Sequence, residues 1–255
     1  MPRGAVKDAI SGTWLGHALH PPLTDVVIGS FLSGTLLDML QSDDAAARCL
    51  FGLGIAAAVP TALSGANDWA DTEVADAAVR RVGLVHAGTN VTALALFSAS
   101  LLVRRGGARG RGRALAVAGT AVLSAGGYLG GHLSYVRGVG PNQTAFDPGP
   151  REWTAAARAD ALVEGRPLAA TAGDTPVLLL RRRATIHAIH DRCSHRGCML
   201  SEGELDGDLI TCPCHGSRFD VTDGTLARGP ATASQPCLET RESGGTIEVR
   251  LRRLG

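Results

Sequence analysis

The chain has 255 residues, enough for two domains, with a formal net charge of +1 and a mean hydropathy of +0.10. A charge this close to zero argues against a nucleic-acid partner. A positive mean hydropathy in a chain with 25 basic and 24 acidic residues points to membrane-embedded segments. Almost every basic residue is Arg, and Lys7 is the single lysine.

Residues 1–22 carry two basic groups, Arg3 and Lys7, and the motif Trp14-x-x-His17-x-x-His20-Pro21-Pro22, without the apolar core and small-residue cleavage site of a signal peptide. Four apolar runs follow, over 23–40, 45–63, 82–103 and 115–136. As helices they are roughly 27–33 Å long, enough to cross a hydrocarbon core. A soluble bundle would show a polar stripe at the helical period, and the third and fourth runs have almost none. Residues 1–137 are therefore expected to form an all-α, four-helix transmembrane bundle.

Orientation follows from the links. The stretch Arg104-Arg-Gly-Gly-Ala-Arg-Gly-Arg111-Gly-Arg113 has five arginines and no acid, and short cationic loops stay in the cytoplasm. The 41–48 turn is then cytoplasmic, and both termini and the 67–81 link (Asp68, Asp71, Glu73, Asp76, Arg80, Arg81) lie outside. Arg3, Lys7, Arg80, Arg81 and Arg137 count against this choice. His17, His20, His86 and His132 fall together at the outer end, with Asp25 and Asn90 placed to orient them. Ionisable groups within spans usually face the bundle interior and do a job there. Two of His20, His86 and His132 could hold a b-type haem or a metal, with room for a porphyrin at Gly126-Gly127 and Gly130-Gly131. The alternative is that the histidines are interfacial hydrogen-bonders or proton carriers and the glycines are small-residue helix contacts. Cys49 reads as a small buried apolar residue.

A Gly/Pro-rich segment over 138–150 reads as a semi-stiff linker. Beyond it, 151–255 reads as short strands at Leu168–Thr171, Pro176–Arg181, Thr185–His190, Leu209–Thr211 and Thr246–Leu251, with turns at 172–174, 206–208 and 223–224. An antiparallel β-sandwich is the consistent outcome. His187 and His190 read as surface or packing residues, and Cys237 as a buried leftover cysteine.

Within this half lie Cys193-Ser-His195-Arg-Gly-Cys198 and Cys212-Pro-Cys214-His215-Gly-Ser217. Their C-x-H and C-x-x-H pairs, with sixteen residues between, can place two thiolates on one iron and two imidazoles on another. Cys₂His₂ also suits tetrahedral zinc. The matched loops, the second cysteine in each and the Gly-Ser after the last histidine favour a two-iron, two-sulfide cluster.

From about Trp153 onward the sequence resembles the Rieske [2Fe–2S] family. The resemblance implies that Cys193 and Cys212 ligate the buried ferric iron, and that His195 and His215 ligate the redox-active one. It also implies a Cys198–Cys214 disulfide, a Ser217 hydroxyl donating to a bridging sulfide, and a covering proline loop at Gly229-Pro230-Ala231. Phe219 stands where quinol-oxidising relatives often carry a tyrosine that donates to a ligand cysteine, so the implied potential lies below theirs and above that of ferredoxins. Residues 10–140 resemble a family of uncharacterised four-helix bacterial membrane proteins often fused to a Rieske domain. The matching stretches are His17-Ala-Leu-His20-Pro-Pro-Leu-Thr-Asp25, Gly65-Ala-Asn-Asp-Trp69, Val85-His86-Ala-Gly-Thr-Asn90 and Gly127-Tyr-Leu-Gly-Gly-His132-Leu.

Together these readings imply a multi-pass protein of the bacterial cell membrane that carries single electrons on the extracytoplasmic face, where a disulfide persists. It is expected to be an electron-transfer protein more than a stand-alone enzyme. The alternatives are a quinol/quinone oxidoreductase component with its quinone or haem site in the bundle, a ferredoxin-like component of an oxygenase system, and a redox sensor. A self-contained oxygenase is disfavoured, because no second domain with an iron-binding facial triad follows.

Overall fold

The computed structural model describes residues 4–41, 44–72 and 76–252. The chain divides into two compact units, one of residues 19–140 and one of residues 1–18 with 141–255. The first eighteen residues thus group with the C-terminal half, not with the bundle that the sequence suggested. In that segment α1 spans Ala5–Ser11.

The helical unit holds α2 (His20–Met39), α3 (Asp44–Ala70), α4 (Ala77–Arg105) and α5 (Arg109–Gly131), the last running into a π-helical turn at His132–Val136. Pro21 and Pro22 open α2, where a missing N–H costs nothing. Asp76 caps α4 by accepting from the N–H groups of Ala78 (2.7 Å) and Val79 (3.4 Å). Three stretches, Asp44–Ala70, Ala77–Arg105 and Arg109–Val136, are long and apolar enough to cross a membrane. The first expected span is the departure. Its helix α2 carries Asp25 and Asp38 and falls outside that set.

The unit buries polar side chains beside a core of Phe31, Phe51 and Phe97, and exposes many apolar ones. Ser30, Thr35, Asp38, Ser64, Asn67, Ser100 and Arg104 are buried, whereas Leu36, Leu53, Val59, Leu63, Val91 and Leu102 are exposed. A bundle in water would invert that pattern, but lipid tails accept it without cost. Cys49 belongs to the exposed set, contrary to the expected burial, because α3 turns that face away from its neighbours.

The two helical hairpins repeat one another. Val27, Phe31, Gly34 and Asp38 of α2 and Ala93, Phe97, Ser100 and Arg104 of α4 are all buried, at a constant offset of 66 residues. Ala47, Phe51, Gly54 and Thr61 of α3 match Gly112, Ala116, Gly119 and Gly126 of α5 at an offset of 65. Two equivalent pairs of α2 and α4 touch each other, as across an isologous interface. Phe31 stacks on Phe97 with centroids 3.9 Å apart and planes within 1°, and Asp38 pairs with Arg104. Glycines make the close approach: a Cβ on Gly54 would sit 2.6 Å from the Phe31 ring, and one on Gly34 would sit 2.6 Å from the Phe51 ring.

Arg104 therefore does not act as a loop charge. Both its side chain and that of Asp38 are fully buried; Arg104 also donates to Asp44 (2.6 Å) and to Ser100 Oγ (3.1 Å), which in turn donates to Gly112 O (2.7 Å). One guanidinium thus ties all four long helices together. Arg3, Glu73 and part of the 41–48 turn, which entered the orientation reading, lie outside the described residues.

The other unit is two antiparallel sheets. Thr154–Arg158 (β1), Leu168–Ala172 (β2), Thr175–Arg182 (β3), Thr185–His190 (β4), Cys237–Ser243 (β9) and Thr246–Leu251 (β10) form a six-stranded sheet ordered β1-β10-β9-β4-β3-β2. Glu204–Asp206 (β5), Leu209–Thr211 (β6), Arg218–Asp220 (β7) and Leu226–Arg228 (β8) form a four-stranded sheet in sequence order. Leu178, Leu180, Ile189, Leu200, Ile210, Phe219 and Val221 make one buried core that includes Cys193 and Cys212. The expected linker is largely docked here: Gln143 N donates to Ser194 O (3.0 Å), Thr175 Oγ1 to Asp147 (2.7 Å) and Leu251 N to Pro150 O (2.6 Å). His190 is buried, with Nε2 3.4 Å from Asp147, so it packs as expected. Cys237 is a half-buried free thiol rather than a fully buried one.

Candidate metal centre

Both cysteine motifs fold into the same turn. In the first, which follows β4, Cys193 N donates to Cys198 O (2.8 Å) and Gly197 N to Cys193 O (2.9 Å). In the second, between β6 and β7, Cys212 N donates to Ser217 O (2.8 Å) and Gly216 N to Cys212 O (3.0 Å). Each turn reverses through a glycine in the left-handed region, Gly197 at φ 80° and Gly216 at φ 81°, which a side chain would disfavour. The turns are joined by a Cys198–Cys214 disulfide with Cα atoms 6.4 Å apart. They are held from behind by Asp191, which accepts from Ser201 N (2.7 Å) and Ser201 Oγ (2.6 Å), and by Ser194 Oγ donating to Ala233 O (2.7 Å).

The turns place the four motif side chains in two pairs. Cys193 and Cys212, each about 1% exposed, face each other closely enough to hydrogen-bond. His195 and His215 meet edge to face with ring centroids 5.0 Å apart. No group of three or more His, Cys, Asp and Glu side chains among the described residues is arranged around a single metal ion. A sulfur pair and an imidazole pair carried on matched turns suit a two-iron unit with unlike ends.

The electrostatics agree. The facing Cys212, then burial, push the Cys193 thiol far up, while the backbone N–H groups of His195 and Arg196 point at its sulfur and pull the other way. Two such sulfurs become thiolates together only when a cation replaces their protons. Burial first, then the charges of Arg196, His215 and Lys7, push His195 down to about 2, so its imidazole is neutral and able to donate a lone pair to a metal.

Ser217 is fully buried, and its Oγ accepts from Ala231 N (2.9 Å), which leaves the hydroxyl proton to point elsewhere. Phe219 on β7 is fully buried in the core that contains both ligand-type cysteines. Pro230, after a cis Gly229–Pro230 bond, belongs to the loop that carries Ala231. Lys7, Asp191 and Ser194 also contact or influence this centre, and sequence reading did not single them out. Asp191, two residues before Cys193, was the nearest available signal.

In the bundle, His20 Nδ1 lies 3.0 Å from Thr61 O and 3.3 Å from Ser64 Oγ, and His86 Nδ1 lies 2.9 Å from Gly126 O. The two histidines are equivalents in the hairpin repeat, as are their carbonyl partners, and the constant 66- and 65-residue offsets were the sequence signal for this. Asn90 contacts the His86 ring at 3.3 Å, as expected. Asp25 is exposed and does not orient His20, because α2 turns it away from α3. The room expected at Gly126 and Gly130 is taken by Asn90 and by the His86 ring, whose atoms lie within about 3 Å of where a Cβ would stand. His132 opens the π-helical turn and does not share this pattern.

Comparison with known proteins matches residues 152–239 to the Rieske [2Fe-2S] domain and residues 16–143 to the predicted membrane protein family DUF2231. Ferredoxin CarAc of Metapseudomonas resinovorans is 38% identical over 77 residues, 30% of this chain and 72% of that protein. The anthranilate 1,2-dioxygenase ferredoxin subunit of Burkholderia cepacia is 31% identical over 100 residues, 39% of this chain and 93% of that protein. Among solved structures, the ferredoxin of carbazole 1,9a-dioxygenase from Nocardioides aromaticivorans IC177 aligns with 27% identity and a TM-score of 0.37, over 39% of this chain and 98% of that one. The turns that carry the paired sulfurs and imidazoles thus lie within a Rieske domain, which binds a [2Fe–2S] cluster, and the chain belongs to the DUF2231 membrane protein family with a Rieske [2Fe–2S] domain over residues 152–239.

Proposed function

We propose that this protein carries single electrons at the extracytoplasmic face of a bacterial membrane, with Cys193 and Cys212 ligating one iron of the cluster and His195 and His215 the other. When bound, the cluster supplies a one-electron couple. The observation that carries the reading is the two-plus-two pairing of those side chains on matched turns joined by a disulfide. The chain's own residues do the rest. Backbone N–H groups at 195 and 196 neutralise part of the charge on Cys193, the two imidazoles take the more exposed position, and the loop through Pro230 limits water. The Cys198–Cys214 bridge supports an oxidising compartment, and the arginines at 105, 109, 111 and 113 support a cytoplasmic α4–α5 connection.

Two measurements test this. Purified, detergent-solubilised protein reduced with dithionite is expected to give the rhombic EPR signal of a Rieske cluster, and Cys212→Ser or His215→Ala to lose it; a signal unchanged in both variants rules out the ligand assignment. A C-terminal alkaline phosphatase fusion is expected to be active; an inactive phosphatase beside a fluorescent C-terminal GFP fusion places the domain in the cytoplasm and overturns the orientation.

The names of the relatives favour a second reading, in which this domain feeds electrons to an oxygenase as the dioxygenase ferredoxin subunits do. Rapid oxidation of the reduced protein by an oxygenase component, with none by a quinone analogue, would select it.

A further inference from the structure

The first eighteen residues are grouped with the cluster domain, and the contacts explain why. Thr13 Oγ1 donates to Ala231 O at 3.2 Å, and Asp8 pairs with Arg228 at 3.6 Å. A Cβ on Gly229 would stand only 2.1 Å from Thr13 Oγ1 and 3.2 Å from Asp8 Oδ1, so the glycine is what lets the segment lie flat on the proline loop. Helix α1 turns Lys7 and Ser11 inward, at 4% and 3% exposure. The lone lysine of the chain is thereby buried in the segment that lies on the proline loop, and its charge joins those of Arg196 and His215 in holding the His195 pKa down.

We propose that the N-terminal segment is a cover docked on the proline loop, and that its buried Lys7 is a potential-setting residue of the Rieske cluster. This rests on the cluster reading above. Reduction moves one electron from a one-electron donor onto the cluster, taking one ferric iron to ferrous and making the centre more negative by one charge. No bond forms or breaks. A fixed cation nearby favours the more negative state, and burial spares it the screening that weakens exposed charges. Arg196 is the other cation acting on His195, but it lies on the cluster loop itself; Arg228 is offset by Asp8. Lys7 is thus the one of the three whose position depends on the docked segment.

The test uses full-length protein in detergent and reads the midpoint potential by EPR-monitored titration. Lys7→Gln is expected to shift the midpoint downward, and Lys7→Arg to restore most of the shift. Gly229→Ala, which displaces Thr13 without touching Lys7, is expected to shift it in the same direction as Lys7→Gln. Unshifted midpoints in both Lys7→Gln and Gly229→Ala overturn the proposal, as does a Lys7→Arg midpoint as low as that of Lys7→Gln. If Lys7→Gln assembles no cluster, the Gly229→Ala midpoint decides alone. Absence of a Rieske signal in the parent protein would instead count against the cluster reading, so the two failures are distinct.

Discussion

At the scale of single residues, two buried side chains carry sharp consequences. Phe219 lies in the core that holds Cys193 and Cys212, and it has no group to donate to either sulfur. Phe219→Tyr should add such a donor and raise the midpoint by on the order of 20–60 mV, the equivalent of a hydrogen bond worth about 0.5–1.5 kcal/mol felt in a one-electron couple. An unchanged midpoint on voltammetry would remove the argument. His190 is buried, and its pKa is lowered, first by burial, with Asp147 partly opposing. In the unfolded chain it takes up a proton near its ordinary value of about 6.5, whereas the folded protein resists that proton at the same pH. The unfolded state therefore binds more protons just below that value, and stability falls as pH drops through it. Urea midpoints measured across that range should decline with acidification and decline less in His190→Asn; parallel slopes would show that another group is responsible.

Pairs of elements reveal a second level of organisation. The two helical hairpins meet through equivalent residues, so Phe31–Phe97 and Asp38–Arg104 are each contacts of a position with its own counterpart. Removing one partner of a buried ion pair strands the other charge, at a cost of about 3–5 kcal/mol. Asp38→Leu should accordingly lower the thermal midpoint of the purified protein sharply, and adding Arg104→Met should recover much of the loss. A double variant no more stable than Asp38→Leu would mean that the links from Arg104 to Asp44 and Ser100 matter more than the pair itself. The two cysteine turns show the same economy, since one backbone turn is used twice with its Cys and His at different offsets. Gly216→Ala meets the left-handed φ of 81° and should cost about 1–2 kcal/mol. Faster loss of the cluster's visible absorbance under chelator is the expected readout.

Across the whole molecule, residues far apart in sequence assemble one centre: the N-terminal segment, both cysteine turns and the proline loop belong to a single compact unit. The local signals were sufficient for much of this. Cys-x-His and Cys-x-x-His spacings announce two metal-binding loops because ligands must leave one turn together, and long apolar runs announce membrane helices because the bilayer offers backbone groups no water. Strands β2, β3, β4, β6 and β10 were also readable, being alternating or β-branched runs bounded by turns. Strands β1, β5, β7, β8 and β9 were not read: β5, β7 and β8 are three-residue pieces with a charged residue at one or both ends, β1 is mostly alanine, and β9 is rich in charged residues. The sequence alone thus determined the two-part architecture, the presence of a [2Fe–2S] domain and the membrane character of the helices, all of which depend on composition and short spacings. Only the tertiary structure decided that Lys7 lies buried in a segment docked on the proline loop, and that Arg104 clasps four helices instead of charging a loop. Each of these depends on contacts between residues dozens to hundreds of positions apart, which no local pattern encodes.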